Sequence, residues 1–150
     1  MWSLDPDSRL REWRNFRIHI SSLPLDSACA ETGHLWSYAP FVSRYLDSNR
    51  NVGIKWPDPW LLLYENYYCD IAKALGMLYT LYLSQHRPED IALEIYQDST
   101  SKEQYNLVRL CSGKYILNYE FDAVVNKKQL PKTLDLRYSY SATDLNMQVY

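Results

Sequence analysis

The stretch from about Tyr67 to Leu83 constrains the fold most. It carries Ile71, Ala72, Ala74, Leu75, Met77, Leu78, Leu81 and Leu83, so a helix built from it is apolar on nearly every side. Such a helix has no face to offer water and belongs at the centre of the molecule. Glycine in a helix interior costs about 1 kcal/mol against alanine, so Gly76 predicts a close approach by another element. Asn66 is the expected cap of this helix. The run includes Lys73 and Thr80 and falls short of the ~20 residues of a bilayer span, so no membrane partner is expected.

The segments before it read as further helices. Asp5-Pro6-Asp7-Ser8 has the composition of a helix start, and Leu10, Trp13, Phe16 and Ile20 follow at helical spacing. Arg9, Arg11, Arg14 and Arg17 mostly fall off that stripe, which predicts an amphipathic helix over residues 5–20. Asp26 is the expected cap of a second helix running to about Tyr38, with Ala28, Leu35 and Trp36 facing inward. Ala39-Pro40 ends it, because the residue before proline is pushed out of the α region. Asp47–Lys55 is polar and contains Gly53, as a surface loop would. In Trp56-Pro57-Asp58-Pro59-Trp60, Asp58 can cap and Pro59 can open a short helix over 60–65.

After Pro88 the apolar period changes. Ile91, Leu93 and Ile95 alternate with Ala92, Glu94 and Tyr96, which is strand spacing. Gln97–Lys102 reads as a turn. Tyr105–Cys111 and Lys114–Tyr119 flank Ser112-Gly113, a two-residue hairpin loop. That loop sets Leu107 opposite Asn118 and predicts Tyr105 and Asn118 on one face as diagonal neighbours. Leu134, Leu136 and Tyr138 have the spacing of a further edge strand. Helices first and antiparallel strands afterwards make an α+β domain, with N-terminal helices and a central buried helix packed on a small antiparallel sheet. The expected layout is one domain over 1–150: a helical part to 55, a core over 56–130 and an irregular extension over 131–150.

Composition removes several functions. A formal net charge of −2 argues against a nucleic-acid partner. With 4 glycines there is no phosphate-cradling loop, and no His/Cys cluster has zinc spacing, so neither a cofactor nor a metal is expected. Cys29, Cys69 and Cys111 cannot all pair with one another, which points to a reducing, intracellular setting; the first residues lack the apolar run of a signal peptide. The 14 Tyr and 5 Trp exceed what a core needs. Trp56, Trp60, Tyr64, Tyr67 and Tyr68 form the candidate protein-interaction cluster, with other proteins as the expected partners.

Cys69 falls at the start of the buried helix, where unpaired backbone N–H groups favour a thiolate. A cysteine opening a central helix, followed by an antiparallel strand pair, resembles the transglutaminase-like (papain-like) cysteine enzymes over roughly Pro59 to Leu130. Cys69-Asp70-Ile71-Ala72 is similar to the segment around their nucleophile. Tyr105–Leu110 is similar to the strand that begins with their catalytic His, and Lys114–Asn118 to the strand that ends with their orienting Asp. The resemblance therefore implies Cys69 as nucleophile, with Tyr105 and Asn118 at degenerate triad positions. Tyrosine, with a reference pKa near ~10, is a poor base at neutral pH. His19, His34 and His86 all precede the hairpin. A run from Trp56 through Leu81 also resembles small proteins of large tailed phages. Together these features imply a non-catalytic interaction protein, a virion or assembly component acting in the host cytoplasm or the virion. The alternative is a cysteine hydrolase or acyltransferase that uses Cys69 with a histidine from outside the hairpin.

Overall fold

The computed structural model describes residues 1–43, 45–50 and 55–145. Four helices precede the sheet: α1 (Pro6–Ser21), α2 (Leu25–Ser37), α3 (Pro59–Glu65) and α4 (Asp70–Tyr82). Five strands follow: β1 (Ile91–Asp98), β2 (Gln104–Leu110), β3 (Tyr115–Leu117), β4 (Val124–Val125) and β5 (Leu134–Ser141). They form one antiparallel sheet in the order β4-β3-β2-β1-β5. The α+β class is as the sequence predicted. Part of the expected polar loop, residues 51–54, lies outside the described residues.

Local chemistry explains the starts of α1 and α3. Asp5 accepts hydrogen bonds from the Ser8 backbone N–H at 2.9 Å and its hydroxyl at 2.8 Å, with Pro6 next in the chain. Asp58 accepts from the Leu61 N–H at 2.8 Å, with Pro59 in the first turn. α2 differs: it begins at Leu25 behind Pro24, and Asp26 lies inside its first turn. The stretch expected to be irregular beyond 131 contains β5, which pairs with β1 from Leu134 to Ser141.

α4 is the hub. Ile71, Ala72, Ala74, Leu75, Met77, Leu78 and Leu81 are all buried, packed between the other helices and one face of β1 and β2. Trp13, Trp36 and Tyr68 are fully buried around it. Gly76 does what its cost implies: a Cβ there would lie 2.3 Å from Cη2 of Trp36. Gly76→Ala gains helix propensity but overpacks a fixed indole, a cost of about 1–3 kcal/mol that can run higher. A net loss of about 2 kcal/mol is expected from urea unfolding; an unchanged midpoint would show that Trp36 can move aside. The opposite face of the sheet carries only a small cluster of Leu107, Ile116 and Val125.

Candidate functional site

Asn66 does not cap α4. It ends α3 instead, in the left-handed conformation (φ 61°), its backbone N–H donating to the Leu62 carbonyl and its Nδ2 to the Trp2 carbonyl at 3.1 Å. Asparagine tolerates this geometry better than most residues. The chain then returns through Tyr67 and Tyr68, and Cys69 itself becomes the N-cap of α4, with no side-chain hydrogen bond closing the helix end. Cys69 thus stands at the helix end whose first-turn N–H groups have no partners within the helix.

Upstream backbone builds one wall. Phe41 bridges to Tyr68, and the Val42 N–H donates to the Tyr68 carbonyl at 3.1 Å, so Phe41 and Val42 are held against the chain that enters α4. The Tyr45 hydroxyl donates to Glu65, and this bond, first, with burial pushes it up to about 12. β2 supplies the facing wall. Between them lies a cleft of about 320 Å³, lined by Ser43, Asp47, Ser48, Cys69, Gln104 and Asn106 among others.

A chain of amides runs along the β2 wall of the cleft. Gln104 Nε2 donates to Asn106 Oδ1 at 2.8 Å, and Asn106 Nδ2 donates to Asp70 Oδ2 at 2.7 Å. Asn118 Nδ2 donates to the other Asp70 oxygen at 3.3 Å and to the Asn106 carbonyl at 2.9 Å. Both carboxylate oxygens of Asp70 are therefore held as acceptors. Desolvation on its inner side pushes this carboxyl above the usual range, against the pull of the two amides and the Lys73 ammonium. The Lys73 ammonium donates to the Ser37 carbonyl at 3.1 Å and lies 5.8 Å from the Phe41 ring centroid.

The structure places Asn118 at this site but not Tyr105. The hairpin register puts Val108 opposite Leu117, so Leu107 would stand opposite Asn118, as the sequence predicts. The four residues Cys111 to Lys114 form the loop, in place of the two expected. β3 stops at Leu117, however, and Asn118 takes a positive φ of 69°, which carries its side chain round to the α4 face. Tyr105 stays on the outer face, its ring 5.5 Å from Tyr119 and its hydroxyl donating to Glu103 at 3.0 Å. Sequence reasoning missed Asp70, Gln104 and Asn106 as the residues grouped around Cys69. A parity signal was available. Arg109 shares a face with Tyr105 and Leu107, and its charge marks that face as the outer one, leaving Gln104 and Asn106 on the side of Val108 and Leu110.

No histidine joins the cleft. His19 pairs with Glu31 at 3.0 Å, His34 with Asp122 at 2.9 Å, and the His86 ring meets the Ile20 carbonyl at 2.9 Å. The five aromatic residues proposed as one interaction cluster are distributed differently. Tyr68 is fully buried; Trp56 packs on Tyr140 at 4.8 Å and Trp60 on Trp13 at 5.5 Å. Only Tyr64 and Tyr67 of the five stay largely exposed. Among the described residues no helix is long and apolar enough to cross a membrane.

With this geometry the chain is similar to solved structures of Legionella pneumophila LapG. The calcium-bound form superposes with a TM-score of 0.74 at 13% identity, covering 93% of this chain and 78% of the matched chain. A second LapG structure gives a TM-score of 0.73 at 13% identity, covering 91% and 76%. The fold is transglutaminase-like. No family model matches the chain, and no curated protein does. At this identity the likeness speaks for the fold alone.

Two expectations change. The resemblance to phage proteins has no counterpart among these matches, which are to a bacterial protein. The reading as a non-catalytic virion component is overturned with it, since the structures this chain is similar to are of LapG and not of a virion component. One LapG structure is described as calcium-bound. In this chain, no group of three or more His, Cys, Asp and Glu side chains among the described residues gathers to hold a metal ion.

Proposed function

We propose that this chain is a cysteine-dependent acyl-transfer enzyme or hydrolase, with Cys69 as the nucleophile. The observation that carries the reading is the position of the sulfur. It caps a buried helix whose end no side chain closes, and it lines an open cleft on a transglutaminase-like scaffold.

Each part has a use. The first-turn N–H groups of α4 can stabilise charge on the sulfur and on an acyl oxygen attacked by it. The amide chain from Gln104 through Asn106 to Asp70 fixes the wall facing the sulfur, so little reorganisation is needed on binding. Buried α4 keeps the nucleophile from shifting. The cleft is lined mostly by polar side chains, which suits an extended polar acyl group better than a hydrocarbon.

Alkylation tests the assignment. Cys111 is exposed and would label in any fold, so Cys111→Ser is the right background. Cys29 is fully buried and its thiol is pushed up to about 12, chiefly by that burial. Iodoacetamide near neutral pH is expected to modify Cys69 through the cleft and to leave Cys29 intact until the protein is unfolded. Equal, slow modification of both, appearing only in denaturant, would remove Cys69 as a nucleophile.

A further inference from the structure

Resting on that reading, we infer that the substrate of the Cys69 site is a thioester, and that the acyl group passes from one thiol to another. The three imidazoles of the chain are engaged elsewhere, with Glu31, Asp122 and the Ile20 carbonyl. Among the described residues, the cleft is lined by Ser43, Leu46, Asp47, Ser48, Cys69, Asp70, Ile71, Gln104 and Asn106, with no imidazole or ammonium among them. The Asp70 oxygens are turned toward the amides of Asn106 and Asn118, each of which favours the ionised form against the desolvation of the carboxyl.

This matters differently for different bonds. An amide nitrogen cannot depart as its anion, so peptide cleavage needs a positioned acid to protonate the leaving amine. A thiolate departs without help, since leaving and attacking sulfurs have similar reference pKa values near ~8.5. In the first step the Cys69 thiolate, its proton already lost to buffer, forms a bond to the thioester carbonyl carbon. The carbonyl oxygen carries the charge beside the α4 N-terminus. Collapse breaks the bond to the donor sulfur, which leaves with the electron pair as a thiolate. A second thiolate then attacks the acyl group on Cys69 and restores it. Nothing is oxidised or reduced, and each step exchanges one carbon–sulfur bond for another. Water is a poor acceptor without a base to activate it, which is why a thiol acceptor follows from the same geometry.

A matched pair of substrates decides the point: N-acetylglycine as its N-acetylcysteamine thioester and as the corresponding amide, with 2-mercaptoethanesulfonate as acceptor. The full chain is expected to move the acyl group from the thioester to the acceptor, dependent on Cys69, at least about a hundredfold faster than it cleaves the amide. Amide cleavage at a comparable, Cys69-dependent rate would overturn the thioester inference and leave the nucleophile assignment standing. No transfer, with no acyl group on Cys69, would overturn both.

Discussion

Thr80→Val is expected to cost this protein about 3 kcal/mol of stability, more than its near-identical shape suggests. The Thr80 hydroxyl accepts from the indole N–H of Trp13 and of Trp36, each at 2.9 Å, and donates to the Gly76 carbonyl at 2.6 Å. A hydroxyl has two acceptor lone pairs and one hydrogen, so this oxygen is fully used. Trp13, Trp36 and Thr80 are each wholly buried, and water cannot replace the lost partner. Valine fills the same space and strands two indole donors at about 1–3 kcal/mol each. Thr80→Ser keeps the oxygen and loses one methyl, for about 1 kcal/mol. Denaturant titration followed by tryptophan emission separates the two. A valine variant as stable as the serine variant would mean that the indoles find other acceptors, and that Thr80 is not what binds α1 and α2 to α4.

Cys69→Ala is expected to lower acyl transfer by more than about a thousandfold, because among the described residues no second thiol lines the cleft and its serine hydroxyls are far weaker nucleophiles. The fold should survive. Cys69 sits at the rim of the core, and trimming one sulfur there costs about 1 kcal/mol. Cys69→Ser is the sharper comparison. It preserves size and hydrogen-bonding capacity, but an unassisted hydroxyl is a far weaker nucleophile, so the serine variant should be as inactive as the alanine one. Equal transfer by wild type and both variants, with folding unchanged in each, would move the chemistry away from this sulfur.

What could be read from the sequence was what depends on neighbours in the chain. The apolar run of α4, the alternation of β1 and the Asp58-Pro59 start of α3 are local patterns, and each appears where the pattern puts it. The hairpin register was likewise legible, because a tight loop fixes which residues face each other. The site needed more. Asp70 meets Asn106 and Asn118 across 36 and 48 residues of chain, so no window of sequence contains the contact. Asn118 faces the site only because its backbone turns over after Leu117, and alternation cannot foresee a positive φ. Asn66 was expected to cap α4 but ends α3 instead, where the chain leaves the helix in the left-handed conformation. The aromatic residues from Trp56 to Tyr68 are close in sequence yet differ in their surroundings, because α3 and its left-handed end at Asn66 lie between them.

Intact mass spectrometry after brief exposure to the N-acetylglycine thioester, quenched in acid, reads the central assignment directly. One acyl group should appear per chain, map to Cys69 in the Cys111→Ser background, and disappear on adding 2-mercaptoethanesulfonate. A chain that stays unmodified, or that carries its acyl group on Cys29 or on lysines, would contradict it.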